Sequence, residues 1–111
     1  MPVIRVEQQS DDPLAESAAF HAEVLPAVLS AIAMGQGDLV LVFSADSHAQ
    51  RDWRRATIAT LAREKAPVRV NGLAGDDEAA IAAGLRYLAA APAITGHYLP
   101  LDGSGAGSVL G

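Results

Sequence analysis

Hydrophobic residues cluster at four places along the chain, and this pattern predicts four strands separated by helix-length segments. Residues 38–44 are apolar on both alternations, which predicts a strand buried on both faces, as in a parallel sheet. Three shorter apolar segments predict the other strands, at residues 3–6, 68–73 and 98–101. Pro100 places the last strand at an edge of the sheet, because proline has no N–H to donate to a central ladder.

Apolar residues at helical spacing predict three helices between these strands. The first begins at Asp12-Pro13, where aspartate caps free amides, and continues to about Met34, with Pro26 expected to kink it. Its expected apolar face consists of Leu14, Ala18, Val24, Leu25, Val28, Leu29 and Ile32. The second helix spans about residues 47–65, and the third begins at residue 76 or 77 and stops before residue 92.

The element order βαβαβαβ predicts an α/β fold, a small Rossmann-like parallel sheet of about four strands with crossover helices. We expect a single domain over residues 1–103, followed by a flexible glycine-rich tail over residues 104–111. A parallel sheet needs cover on both faces, and three helices are few for that purpose. One face is therefore expected to be short of cover, which favours association with another chain.

Composition and charge exclude several classes of protein. The 111 residues include 13 acidic and 8 basic side chains, for a net charge of −5, so nucleic acid and anionic membrane surfaces are not expected partners. The hydrophobic content of 50% excludes disorder, and no apolar run reaches the length of about 18 residues that a membrane span needs. With no cysteine and no secretion signal at the N-terminus, we expect a cytoplasmic protein without thiol chemistry.

A cluster of polar residues follows the buried strand, at the sheet edge where open α/β folds usually bind ligands. Ser44, Ser47, His48 and Arg51 combine hydroxyls, a helix N-terminus and a guanidinium, so they are candidate ligands for a small anion such as phosphate or carboxylate. The alternative is structural. In that interpretation Asp46 or Ser47 caps the helix, and His48 is simply solvated.

No metal site is expected from the sequence. Asp76, Asp77 and Glu78 are clustered, but the helix dipole favours carboxylates in a first helical turn without any metal. His21 and His97 stand apart from these acids in sequence, and no pair of histidines has the spacing of zinc ligands.

Three segments of the chain are similar, in their order and spacing, to sequence motifs of one enzyme family. Residues 61–64 and 68–71, Leu-Ala-Arg-Glu and Val-Arg-Val-Asn, are similar to a helix-to-strand passage, and residues 94–103 to a closing motif of threonine-glycine, apolar strand and aspartate-glycine. Residues 37–44 are similar to a fifth strand that leads into a catalytic serine. Over residues 14–103 the chain thus resembles the C-terminal half of a short-chain dehydrogenase/reductase.

The position of the last helix distinguishes two expectations. The usual right-handed crossover would put all three helices on one face of the sheet. The resemblance instead implies that the last helix lies on the opposite face, through an uncommon left-handed crossover.

The resemblance also shows which parts of a dehydrogenase have no counterpart here. The half with the glycine-rich turn that holds a dinucleotide pyrophosphate is missing, so no cofactor is expected. Counting back from Glu64, the family's proton-donating tyrosine and the lysine four residues later correspond to Ser47 and Arg51. A serine hydroxyl is far less acidic than a phenol, so no catalytic residue is expected either. The family's insertion over the substrate is also missing after Gly75.

The resemblance further implies a protein partner. Full-length members pair through helices corresponding to residues 13–34 and 47–65, which form a four-helix bundle about a twofold axis. We expect a homodimer or larger assembly with Trp53 in the interface, and a full-length dehydrogenase relative is a second candidate partner. The sequence thus predicts a non-catalytic module for self-association or protein interaction. The alternative is a small-molecule binder, or a minor oxidoreductase-related enzyme, that uses residues 44–51 with a cofactor from a partner subunit.

Overall fold

Strands and helices alternate along the chain as the sequence pattern predicts, in a computed structural model that describes residues 1–101. The strands are β1 (Val3–Val6), β2 (Leu39–Phe43), β3 (Val70–Ala74) and β4 (Tyr98–Pro100). The α-helices are α1 (Pro13–Ala19), α2 (Leu25–Ala33), α3 (His48–Glu64) and α4 (Glu78–Ala89). The expected flexible tail, residues 104–111, lies outside the described residues.

The strands form one parallel sheet whose order, β1-β2-β3-β4, follows the chain. Every side chain of β2 is buried, which confirms the prediction for residues 38–44, and β1 packs beside it with Val3 opposite Val40. The strand that contains Pro100 lies at an edge of the sheet, as predicted. The predicted fold class, a small Rossmann-like α/β fold with a four-stranded parallel sheet, is confirmed.

The first predicted helix is present, but a π-helical turn at Phe20–Val24 divides it into α1 and α2. In this turn the N–H of Leu25 reaches the C=O of Phe20, five residues back instead of four. Pro26 follows directly and has no N–H to continue the helical ladder. The irregularity expected at Pro26 is therefore a π turn just before the proline.

The prediction that Leu14 belongs to the apolar face that packs against the protein is wrong. Leu14 is 81% exposed, and Glu16 is buried instead. The carboxylate of Glu16 accepts hydrogen bonds from the backbone N–H groups of Gln9, at 2.7 Å, and Ser10, at 2.9 Å. These bonds compensate the burial of a carboxylate, fix which side of α1 faces the protein, and leave Leu14 outside.

Side-chain caps fix where the helices begin. Asp12, Ser47 and Asp77 each accept a hydrogen bond from the backbone N–H three residues later, at 3.0, 3.3 and 3.1 Å. Each bond satisfies an amide that has no partner within its own helix. The helix starts predicted at these three positions are confirmed.

The helices are divided unequally between the two faces of the sheet. Helices α1, α2 and α3 cover one face, through Phe20, Val28 and Ile58 among others, and α4 covers the other through Ile81 and Leu88. Because the strand order runs in one direction, the crossover from β3 to β4 has the opposite hand to the first two. The arrangement that the resemblance implies is confirmed, and the one that the usual handedness rule implies is wrong here.

The face covered by α4 alone is open beside β1. Ile4 and Val6 point toward α1–α3, so Val3 and Arg5 lie on the α4 side of the sheet. Val3 is 39% exposed, and Arg5 reaches across the surface to an ion pair with Glu78, at 2.8 Å. The expected shortage of cover is therefore found at one corner of one face.

Arg69 ties the start of β2 to the end of α4. Its Nε donates to the Asp38 carboxylate at 2.8 Å, and its Nη1 donates to the C=O of Ala91 at 2.9 Å. The backbone N–H of Arg69 also donates to Asp38, and this bond more than the guanidinium holds the pKa of the Asp38 carboxyl below its ordinary value. The strand β3 begins at Val70, two residues later than predicted, although the C=O of Arg69 already accepts a hydrogen bond from the N–H of Leu39.

We predict that Asp38→Asn lowers the free energy of unfolding by about 1 kcal/mol at pH 7, because it removes charge-assisted hydrogen bonds at a partly exposed site. A carboxyl with a lowered folded pKa contributes stability above its unfolded pKa of about 3.9, and this contribution is lost as the pH falls through the folded value. The difference from the natural protein should therefore shrink below about pH 4 in urea unfolding measured across pH. Asp52→Asn, at an exposed carboxylate, is the control. A difference that stays constant down to about pH 2 would contradict this role of Asp38.

Candidate functional site

The polar residues that follow β2 have different partners in the structure. Ser44 is partly buried at the carboxyl end of β2, where its hydroxyl donates to Oε1 of Gln8 at 2.9 Å. Ser47 caps α3, and His48 is exposed at the first position of that helix. Ser47 and His48 therefore have the positions that the structural alternative predicts, as a helix cap and as a residue exposed to solvent.

Arg51 turns back along α3 to Asp46 in the preceding loop. Its Nε and Nη2 both donate to the carboxylate of Asp46, at 3.0 and 2.5 Å. Burial acts to raise the pKa of Asp46, but hydrogen bonds from Arg51 and Tyr98 outweigh it and hold that pKa below its ordinary value. Asp46 is thus an ionised group that already occupies part of the Arg51 fork.

Arg54 is a buried residue of the site that was not predicted from the sequence. Only 1% of its surface is exposed. Its Nη1 donates to the Tyr98 hydroxyl and to the C=O of Ser44, each at 3.1 Å, and its Nη2 donates to the Ser44 hydroxyl at 3.0 Å and to Gln8 at 3.4 Å. The guanidinium also lies over the ring of Phe43, 5.0 Å from its centre. Its Nε has no hydrogen-bond partner among residues 1–101. A permanent cation is therefore held in the core mainly by neutral acceptors.

The burial of Arg54 could have been predicted from helical spacing. Ile58 and Leu61 follow it at four and seven residues, and both are buried. Residues at this spacing share one face of a helix, so Arg54 had to point toward the sheet. An arginine on an apolar helix face indicates a buried polar network, since a buried charge needs partners.

Tyr98 connects the two arginines. Its hydroxyl donates to Oδ1 of Asp46 at 2.7 Å and accepts from Arg54. Burial is the largest influence on Tyr98 and, together with the bond to Asp46, raises its pKa to about 12, against the opposing effect of Arg54. A continuous set of hydrogen bonds, named here the arginine network, thus runs through Gln8, Ser44, Arg54, Tyr98, Asp46 and Arg51.

Trp53, the predicted interface residue, lies between the core and the surface. Its ring packs 5.4 Å from that of Phe20 and 6.0 Å from that of Phe43, measured between ring centres. Its Nε1 donates to Oε1 of the buried Gln50 at 2.6 Å. The remaining surface of Trp53 lines an open groove of about 370 Å³ between α1–α2 and α3.

The acidic cluster that precedes α4 is occupied by bonds within the protein. Asp76 accepts from the backbone N–H of Ala45 at 3.3 Å, Asp77 caps the helix, and Glu78 pairs with Arg5. Within residues 1–101, no three side chains of histidine, aspartate or glutamate are grouped so that they could hold a metal ion. In the same part of the chain, no helix is long and apolar enough to cross a bilayer.

Comparison with known proteins gives one match. A sequence model of the SDR-like family, described as short chain dehydrogenase-like protein, matches residues 4–101. Searches of curated proteins and of solved structures gave no significant match.

We predict that Tyr98→Phe lowers the free energy of unfolding by about 1–3 kcal/mol. The ring packing is kept, but Arg54 loses an acceptor and Asp46 loses a donor in a buried place. Urea unfolding followed by circular dichroism measures the change. Tyr87→Phe is the matched control, because Tyr87 is 45% exposed and its hydroxyl forms no hydrogen bond within residues 1–101. Equal stability of the two variants would show that the Tyr98 hydroxyl contributes nothing to the fold.

Proposed function

As the chain belongs to the short chain dehydrogenase-like family, we propose that it is a non-catalytic module of that family which associates with a second copy of itself. The outer surface of α1, α2 and α3 is the proposed contact. One observation carries the proposal: these helices leave large apolar side chains exposed around an uncharged groove.

The absence of a catalytic role is supported by what Ser47 and Arg51 do. They stand where the resemblance places the proton-donating tyrosine and its lysine. Ser47 is occupied as a helix cap, and Arg51 is paired with Asp46. Neither side chain is left to transfer a proton to or from a substrate, and the serine hydroxyl is not acidic enough to do so.

Tyr98 does not substitute for the family's tyrosine. A general acid works best when its pKa lies near the operating pH. The pKa of Tyr98 is raised to about 12, and its proton is directed to Asp46. This hydroxyl therefore has a structural role in the arginine network.

The contact surface has a stripe on α1–α2 that contains three leucines. Leu14, Ser17, His21, Leu25 and Leu29 recur every three or four residues, so they follow one side of the helical segment. Leu14 is 81% exposed and Leu29 is 37% exposed. Large apolar side chains exposed to water near both ends of this segment favour association.

The middle of this stripe, from Ser17 to Leu25, forms one side of a groove that is called the self-association groove. It is lined by Ser17, His21, Leu25, Trp53, Ala56, Thr57, Thr60 and Leu61. Small side chains on α3, such as Ala56 and Thr60, allow another helix to approach closely. Trp53 offers a partly exposed aromatic ring, the kind of residue that often dominates binding energy at an interface.

Charge favours a second copy of the chain as the occupant. The chain carries a net charge of −5, so two copies repel each other over most of their surfaces. Among the described residues, the self-association groove is lined by no aspartate, glutamate, lysine or arginine. A twofold contact places the same patch on both sides of the interface, and this patch can face itself without opposing like charges. A full-length relative would be an alternative occupant of the same surface.

We predict that the protein is a dimer at tens of micromolar, and that Ala56→Arg weakens the dimer at least about tenfold in sedimentation across a concentration series. The substitution places an arginine from each copy in the contact, where they repel and lose hydration. Ala56 is a better probe than Trp53, because it is exposed, whereas Trp53 also packs against Phe20 and Phe43.

Ala89→Arg is the matched control, since Ala89 is exposed on α4, on the other face of the sheet. A compact monomer of the natural protein would contradict self-association. A dimer unaffected by Ala56→Arg would place the interface elsewhere.

We also predict no saturable binding of NAD or NADP by the assembled protein in calorimetry. This measurement separates the proposal from the alternative in which residues 44–51 act on a small molecule with a cofactor from a partner subunit. A dissociation constant below about 100 μM would favour that alternative.

A further inference from the structure

A second groove, of about 690 Å³, runs between α3 and the outer edge of β4. Arg51, Arg55 and Ala59 line one side, each one helical turn from the next. The chain from Thr95 to Pro100 forms the other side. No residue of this groove lines the self-association groove, so the two lie on different sides of α3.

Positive charge is concentrated here, although the chain as a whole is negative. Three of its eight basic residues are Arg51, Arg54 and Arg55. Arg51 and Arg55 line the groove, and Arg54 lies behind the Tyr98 hydroxyl that forms part of its wall. Asp46 is the one acidic residue among the described lining residues, and its carboxylate is already bonded to Arg51 and Tyr98.

Both arginines of the groove have donors left for a ligand. Arg51 uses Nε and Nη2 on Asp46, and its Nη1 forms no hydrogen bond within residues 1–101. Arg55 is exposed, and within residues 1–101 its guanidinium forms no hydrogen bond or ion pair. The bonds to Asp46 hold the guanidinium of Arg51 in one orientation in the free protein. Ligand binding therefore causes a smaller further loss of side-chain entropy.

The groove also has an apolar wall. Ala59 on α3 and Leu99 and Pro100 on β4 lie beside the two arginines. The volume falls within the range of about 300–1,000 Å³ that is usual for small-molecule sites. An apolar wall next to fixed cationic donors suits a ligand with one anionic group and a hydrophobic body.

We propose that this groove binds a small organic oxyanion, a phosphate monoester or a carboxylate with an apolar body. The anionic group lies between Arg51 and Arg55, and the body lies against Ala59 and Pro100. Guanidinium groups bind both kinds of anion through paired hydrogen bonds. The site does not require self-association, because it uses a different side of α3.

The test is titration of the full chain with phenyl phosphate, benzoate and inorganic phosphate at fixed ionic strength, followed by amide NMR signals. Phenyl phosphate or benzoate should bind saturably with a dissociation constant of about 1 mM or lower, and shift the signals of Gly96 and His97. Inorganic phosphate should bind about tenfold more weakly, because it lacks the apolar body. Tighter binding of phenyl phosphate than of benzoate assigns the site to phosphate monoesters, and the reverse order assigns it to carboxylates.

Arg55→Ala should weaken binding at least about tenfold without loss of the fold, because Arg55 is exposed. Arg63→Ala is the matched control, since Arg63 is an exposed arginine of the same helix that lines neither groove. The proposal is overturned if neither organic anion binds below about 10 mM, or if Arg55→Ala binds like the natural protein. Equal weakening by both substitutions would also overturn it, because it would indicate attraction by overall charge alone.

Discussion

The guanidinium of Arg54 is a permanent positive charge in the core, and most of the site geometry follows from the need to satisfy it. Leaving such a group without partners would cost several kcal/mol. Its acceptors come from three separate parts of the chain: Gln8 after β1, Ser44 after β2 and Tyr98 on β4. One side chain of α3 therefore bonds to the segments that follow β1 and β2 and to the first residue of β4. Within residues 1–101 the Nε of Arg54 has no partner, so the described residues satisfy this group incompletely.

Because Arg54 fixes the inner face of α3, the other sides of this helix have defined surroundings. Arg51 and Arg55 point toward the β4 edge, and Trp53 and Ala56 point toward α1–α2. The first side is cationic with an apolar wall, and the lining of the second combines Trp53 with small residues such as Ala56. These differences in charge and polarity are the physical basis for assigning a ligand to one side and a second chain to the other. In both proposals, α3 is the element that carries the function.

The division of helices between the faces of the sheet explains which surfaces remain open. With α4 on the opposite face from α1–α3, each face has some cover, and Val3 at the β1 corner is left partly exposed. The uncovered apolar surface of α1–α2, by contrast, arises because Glu16 faces inward and turns Leu14 outward. A buried carboxylate that binds two backbone amides thus accounts for the exposure of Leu14 to water.

The sequence by itself determined the element order, the doubly buried β2, the edge position of the strand with Pro100, and the helix starts at Asp12, Ser47 and Asp77. These features depend on local spacing and on helix caps that act within three residues. They can therefore be predicted from residues that are close together in the sequence. The exposure of Leu14 and the arginine network were decided only by the tertiary structure. The tertiary structure also decided the face of α4, on which the usual handedness rule and the family resemblance gave opposite expectations. The hydrogen bonds of Arg54 and Tyr98 join residues 10 to 52 positions apart in the chain, and no local pattern specifies such pairs. Sequence could indicate that a buried arginine needs partners, but only the packed sheet brings those partners to it.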